Sequence, residues 1–346
     1  MLFRSLPTED GLIAAELLAA RTPMPFWQFT GSATIANTEA VRIARLMTGR
    51  ERVLMFDGKY HGHFDDALVS TGGNGEQADL LGLPKGVEQK ARTVPFNDLA
   101  ALERALALGD TCCLIAEPML TNCNIVFPDP GFWPAAERLA KAADVLLVID
   151  EAHTHSFAYG GLTRLWDLHP DMLILGKGFG SGVPFAAYGV TAEIAGLMER
   201  HLYSDPGGHG LALGGTTYAS ALALTAARAA LESCMREADY ARVDALGQRL
   251  ATGLEVLFRR QGLAWRAPVI GGRAGWVLAP ELPRDASQSR LAMDHDFADA
   301  RKLFMANRGL WDAVASAGPG CSFQHGEADI DLYLEVAGEF LAAAIG

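Results

Sequence analysis

Cysteine is scarce in this sequence: five residues in 346, at Cys112, Cys113, Cys123, Cys234 and Cys321. Their number is odd, their spacing is irregular and no CxxC pair occurs, which argues against a disulfide framework or a thiolate zinc site and for reduced thiols. No apolar run approaches the roughly 20 residues that a membrane helix needs. The N-terminus shows no charged leader followed by an apolar stretch and a small-residue cleavage site, so a cytoplasmic location is expected. Basic residues are the minority, 29 Lys and Arg against 41 Asp and Glu, for a formal net charge of −12. With no basic tract of five or more, nucleic acid and anionic membrane are poor partners, and small molecules are the expected ones. There is also no GxxxxGK[ST] phosphate loop.

What the chain has is apolar mass, 50% hydrophobic residues, enough for a large core and a smaller companion unit. Short β-branched runs, "RVLMFD" from Arg52, "TCCLIAEPM" from Thr111, "VLLVIDEAH" from Val145, "DMLILGK" from Asp171 and "FAAYGVT" from Phe185, read as strands buried on both faces. Between them, Asp98 to Leu108 and Phe132 to Ala143 carry apolar residues at helical spacing. Alternating strand and helix predicts an α/β fold with a mostly parallel sheet flanked by helices. Beyond Tyr218 long Ala- and Leu-rich helices take over, then "VIGGRAGWVLAP", read as two short strands about a Gly-Gly turn, and a helical C-terminus. The expected division is a large domain over 1–225 and a small C-terminal α+β domain over 226–346. The glycine-containing stretch Thr71 to Arg92 is expected to be a mobile loop.

Lys177 lies in "LGKGFGSG", just past an apolar strand, where open α/β sheets place their ligands. Burial there favours a neutral amine able to attack a carbonyl. The plain alternative is a lysine at a strand end with its head in solvent. One strand upstream, "VLLVID" ends in Asp150-Glu151, which alone means only that a strand has reached water. Together a carboxylate to hold a pyridine nitrogen protonated and a lysine to hold an aldehyde point to pyridoxal phosphate chemistry. "GSAT" at Gly31 to Thr34 opens a helix whose N-terminus suits a phosphate, although Ser and Thr there are equally ordinary caps. Tyr60-His61-Gly62 offers an aromatic plate. A dinucleotide loop at Gly176 to Gly182 is disfavoured, because Val183-Pro184-Phe185 leads into a strand-like run where a helix is required.

The ordered series Ser32-Ala33-Thr34, Tyr60-His61-Gly62, Glu117-Pro118, Asp150-Glu151, Gly176-Lys177 and Gly215-Thr216 resembles the class III aminotransferases of pyridoxal phosphate fold type I. It is most similar to the glutamate-1-semialdehyde aminomutase and β-amino acid transaminase branch. The resemblance runs from about Leu6 to the C-terminus and is strongest between residues 28 and 225. It implies that Lys177 carries the cofactor as a Schiff base and shuttles a proton, and that Asp150 pairs with the ring nitrogen. Tyr60 and Ala152 would flank the ring, Asn122 would lie near its hydroxyl, and His61, Glu117 and His153 would belong to the same pocket. Ser32, Ala33 and Thr34 would hold the phosphate with Thr216 of a neighbouring subunit, so a homodimer is implied.

The sequence also departs from the family pattern. Ser-Ala-Thr-Ile stands at 32–35 where Ser-Gly-Thr-Glu is usual, Ala152 replaces a valine, and His153 and His155 form an unusual HxH pair. A metal there is not expected. The N-terminal segment that relatives carry ahead of a helix like "LPTEDGLIAAELLAA" is missing, which leaves a truncated, non-catalytic relative as one reading. The expected function is a transaminase moving an amino group between an amino acid, with β-amino acids in view, and a keto acid. A glutamate-1-semialdehyde 2,1-aminomutase is the alternative.

Overall fold

The computed structural model describes residues 8–72, 75–79, 82–201, 210–312 and 318–345. Residues 2–6, where the start of the resemblance falls, lie outside them. Nine strands come first: β1 (Phe26–Thr30), β2 (Arg52–Phe56), β3 (Val69–Gly72), β4 (Gly75–Ala78), β5 (Ala91–Val94), β6 (Thr111–Ala116), β7 (Leu146–Asp150), β8 (Met172–Leu175) and β9 (Ala186–Val190). Among them run helices α1 (Glu9–Arg21), α2 (Ala33–Thr48), α3 (Leu99–Leu106), α4 (Phe132–Ala142), α5 (Gly161–Leu165) and α6 (Ala192–His201). Then follow α7 (Ala221–Ser233), α8 (Glu237–Arg260), β10 (Val269–Ile270), β11 (Arg273–Ala274), α9 (Ala286–Leu291), α10 (His295–Ala306) and α11 (Glu327–Ile345).

Seven strands make one sheet in the order β1-β9-β8-β7-β6-β2-β5. Neighbours from β8 through β5 pair in parallel, and β9 runs antiparallel to both β8 and β1. The expected α/β class with a mostly parallel sheet is what forms. All six residues of β6 are buried, as a central strand covered on both faces requires. Because side chains alternate across a strand, Leu147, Ile149, Leu173 and Leu175 join one core with α1, α3, α4 and α7, while Val148, Met172 and Ile174 join a second with α2 and α6. Each fully buried Leu or Ile contributes roughly 1.5–3 kcal/mol.

Helix ends follow local chemistry. Ser32 caps α2, its hydroxyl accepting from the Ile35 N–H at 3.3 Å, and Gly49 ends it at φ +67°. Asp98 caps α3 by accepting from Ala101 N–H at 2.8 Å. A third core forms where Leu246, Leu250, Leu254 and Phe258 of α8 meet Tyr333, Val336, Ala337 and Leu341 of α11. The two short strands read in "VIGGRAGWVLAP" are β10 and β11, turning at Gly271-Gly272.

Two expectations change. Thr71 to Arg92 is not simply a loop: β3 and β4 form a hairpin, Val87–Gln89 a 3-10 turn, and β5 begins at Ala91. Thr71 is tied to Thr93, with N–H to Oγ1 at 2.7 Å and Oγ1 to the carbonyl at 2.8 Å. Residues 73, 74, 80 and 81 of that stretch lie outside the described residues. The reason is pairing: "ARTV" is too short and polar to announce a strand, but it sits beside β2 in the sheet. Likewise β1, "FWQFT", is recruited by β9.

Candidate active site

The carboxyl ends of four parallel strands, β2, β6, β7 and β8, deliver the chemistry-bearing residues, and the N-terminus of α2 faces the same space. Asp150 is the last residue of β7 and Lys177 stands two residues beyond β8, whose Ile174 pairs with Asp150. Tyr60 and His61 follow β2, and Glu117 follows β6. Sheets of this kind place ligands at that edge because loops there are free of the strand ladder.

A cavity of about 420 Å³ is lined by Ser32, Ala33, Thr34, Tyr60, His61, Asp150, Ala152 and Lys177, among others. Ala152 and Lys177 also line a second cavity, of about 630 Å³, which His153 borders and which reaches to Arg273 of β11, to the segment after α10 and to α11. Lys177 therefore stands at the join of two chambers.

Asp150 is 3% exposed, yet three donors hold it. Asn37 Nδ2 and His61 Nδ1–H both donate to Oδ2 at 2.8 Å, and the Ala152 N–H donates to Oδ1 at 3.0 Å. Burial alone would raise its pKa; the His61 hydrogen bond and charge, then Asn37 and the Ala152 amide, outweigh it, and Asp150 sits below the usual carboxylate value. Its neighbour Glu151 turns the other way, accepting from the Leu162 and Thr163 N–H groups at 2.8 and 2.7 Å and from Thr154 Oγ1 at 2.8 Å. Burial raises its pKa. Of two adjacent acids, one is presented to the cavity and one anchors α5.

Lys177 is held at φ +51°, a left-handed conformation unfavourable for a residue with a side chain. Buried Phe179, its ring tilted against that of Phe185 with centres 5.2 Å apart, pins the turn. The lysine is open to solvent within the cavity, but the walls desolvate it enough to lower its pKa, against the opposing pull of Asp150 and Glu117. A Cβ on Gly176 would lie 3.0 Å from that of Ala33, so the lysine turn and the start of α2 pack in close contact. On the other side Gly62, at φ +93°, presses against Thr34.

His153 Nδ1 lies 2.6 Å from Thr121 Oγ1, and Thr121 also hydrogen-bonds Glu117, which takes a further bond from Asn122 Nδ2 at 2.9 Å. Burial, then the charges of Lys177 and Arg273, push the His153 pKa down to about 3. His155 faces away beside Phe179; neither ring nitrogen has a hydrogen-bond partner among the described residues, and burial lowers its pKa to about 4. Among the described residues no group of three or more His, Cys, Asp or Glu side chains is placed to hold a metal ion.

The structure thus brings together Ser32, Ala33, Thr34, Tyr60, His61, Asp150, Ala152, His153 and Lys177. Glu117 and Asn122 stand behind His153, off the cavity walls. Thr216 is exposed on a turn and lines neither cavity. Sequence reasoning missed Asn37 and Arg273. Asn37 interrupts the apolar face of α2, which is the one signal the sequence offered; the structure buries its amide fully.

A twisted α/β sheet with a lysine and a carboxylate at its carboxyl edge, facing a helix N-terminus, defines a fold-type I pyridoxal phosphate transferase. The profile of the aminotransferase class-III family matches residues 1–298, and the chain belongs to that family. It is accordingly a pyridoxal-phosphate-dependent enzyme, an aminotransferase or an aminomutase. It is 33% identical to a glutamate-1-semialdehyde 2,1-aminomutase of Symbiobacterium thermophilum, over 96% of this chain and 77% of that protein. Among solved structures, a glutamate-1-semialdehyde aminomutase from Pseudomonas aeruginosa PAO1 in complex with PMP superposes with a TM-score of 0.92 at 31% identity, covering 97% of this chain and 76% of that one. An omega-transaminase from Sphaerobacter thermophilus gives 0.89 at 26%, covering 99% and 80%.

Proposed function

We propose that this chain is a transaminase that moves an amino group from an amino acid to a keto acid, with Lys177 and Asp150 as its catalytic residues. The observation that carries the reading is the placement of Lys177 at the join of two cavities, one fitted to a cofactor and one open to a substrate. The residues present fit pyridoxal phosphate: a buried carboxylate kept ionised by three donors, a lysine of lowered pKa, and a helix N-terminus opening on the same cavity. When bound, that group supplies an aldehyde and an electron-accepting ring.

Each residue then has a task. The Asp150 carboxylate would keep the ring nitrogen protonated, and Asn37 and His61 would hold that carboxylate in place. The desolvated Lys177 amine would take and return the proton at the amino-bearing carbon of the substrate. The amides of Ala33 and Thr34 would face the phosphate, Tyr60 and Ala152 would flank the ring, and His153, backed by Thr121, Glu117 and Asn122, would border its hydroxyl side. Thr216 would serve the phosphate of a partner subunit, which makes the active unit a homodimer. A cytoplasmic location belongs to the same proposal and is supported by five unpaired thiols.

The larger cavity favours intermolecular transfer, since Phe157, Leu250, Leu310 and Ile330 give it apolar wall suited to a bulky substituent. A second reading, 2,1-aminomutase, is favoured by the 33% identity to the Symbiobacterium protein. The test is reduction of the cofactor-loaded protein with borohydride and mapping of the label, followed by turnover with a ¹⁵N-labelled amino donor. We expect the label on Lys177 and ¹⁵N in the keto-acid partner. Nitrogen that stays within glutamate-1-semialdehyde would replace the first reading by the second, and no label would remove both.

A further inference from the structure

Helix α2 carries a buried acid that the cofactor chemistry does not use. Glu39 is 2% exposed and stands in the register of Ala36, Ala40 and Ile43, which belong to the second core. It lines neither cavity. A carboxylate in such a place is costly unless hydrogen bonds replace the water it has lost.

One of its oxygens, Oε1, accepts from the Gly214 N–H at 2.7 Å. The other, Oε2, and the hydroxyl of Tyr188 on β9 are buried without a hydrogen-bond partner among the described residues, yet near enough for each to bias the other's proton. Burial raises the Glu39 pKa, against the pull of the Gly214 amide, Tyr188 and Arg42.

The segment that Glu39 grips leads to Thr216. Arg42 of α2 donates from Nη1 to the Ala212 carbonyl at 3.0 Å, and Leu211 and Leu213 pack against the second core. Gly214, at φ +85°, lets the chain turn after Leu213. The Tyr218 N–H then donates to the Gly215 carbonyl at 3.1 Å, closing a turn with Thr216 exposed in it. A Cβ on Gly31 would lie 3.9 Å from the Tyr218 ring, so the far end of the turn rests on the residue ahead of the α2 cap. The Thr216 turn is thus held at both ends against α2 and its lead-in.

We propose that Glu39 is the positioning residue for Thr216: by holding the Gly214 amide, its carboxylate fixes the turn that presents the Thr216 hydroxyl to the phosphate of the partner subunit. This rests on the reading of Thr216 as part of the partner's phosphate site. An exposed turn takes its position from its ends, and an amide bonded to a carboxylate away from water is a strong tether. Helix α2 then serves two phosphates, its own subunit's through its N-terminus and the partner's through Glu39.

The test is the dissociation constant of pyridoxal phosphate, read by absorbance on the full chain, in a double-mutant cycle of Glu39→Ala and Thr216→Val. Glu39→Ala should weaken binding about 3- to 10-fold, and adding it to Thr216→Val should cost nothing more. Glu39→Gln, which keeps an acceptor of the same length, should recover most of the loss. Should Glu39→Ala fail to fold, Glu39→Asp, whose carboxylate is drawn back by one methylene, takes its place in the cycle. Losses that add would show that Glu39 does not act through Thr216, and unchanged affinity in the Glu39 variant beside a weakened Thr216→Val would overturn the inference alone. Unchanged affinity in Thr216→Val would overturn the shared phosphate site and this inference with it.

Discussion

Asp150 and Glu151 are adjacent in sequence and opposite in task. A strand sends successive side chains to opposite faces, so one acid meets Asn37, His61 and the cavity while the other meets the amides of α5. Replacing Asp150 by Ala should lower turnover by about 10²–10⁴-fold with the fold retained; steady-state rates beside a circular dichroism melt would decide it. Lys177→Ala should abolish turnover and the borohydride label together, and a variant still fully active would exclude the mechanism. His155 gives a prediction on stability. Its ordinary value of 6.5 falls to about 4 in the folded chain, so the unfolded state binds the extra proton between those values. Its neutral burial is harmless above about pH 6.5 and becomes a progressive loss as pH falls to about 4, reaching roughly 3 kcal/mol. Denaturant melts from pH 7.5 to 4.5 should show that loss, and His155→Leu should flatten part of it. An equally steep fall in the variant would assign the acid sensitivity to other groups.

At the scale of elements, the site depends on how closely α2 approaches the loops after β2 and β8. Gly62 is the tightest point. A Cβ there would lie 2.2 Å from Thr34 Oγ1 and 3.0 Å from the Thr34 Cα, and its φ of +93° is unfavourable for any other residue. Gly62→Ala should therefore push the N-terminus of α2 away from the cavity, costing about 1–3 kcal/mol of stability and weakening cofactor retention. Equilibrium unfolding and dialysis of the loaded protein measure the two effects; a variant unchanged in both would mean that the approach is soft. The same scale bears on the division of the chain. Ala223, Leu224 and Leu231 of α7 belong to the core of the large sheet, whereas the separate α8–α11 core begins at Leu246. We propose two units, with the boundary drawn from the expected residue 226 toward α8.

For the whole molecule, the site within one chain leaves Thr216 exposed and away from the cavities. The proposed homodimer gives that residue a task in the partner's phosphate site. Sedimentation should show a dimer, and Thr216→Val should weaken pyridoxal phosphate affinity several-fold without changing the dimer. A monomer that binds the cofactor with unaltered affinity in the variant would defeat the shared-site proposal. The chain spans about three quarters of the length of the relatives it matches. Among the described residues no helix is long and apolar enough to cross a membrane.

By itself the sequence determined the α/β class, five of the seven strands of the sheet and the position of Asp150 and Lys177 at the carboxyl ends of two apolar strands, which lie side by side in the sheet. Short apolar runs and capped amphipathic helices are local signals, and strand ends mark where ligands sit. Only the tertiary structure decided the rest. β1 and β5 are strands because a neighbour supplies their hydrogen bonds, not because five residues such as "FWQFT" demand it. Asn37 reaches Asp150 across 113 residues, and Arg273 reaches Thr121 across 152. Such contacts carry no spacing rule, since the chain between the partners can be folded in many ways and packing alone selects one.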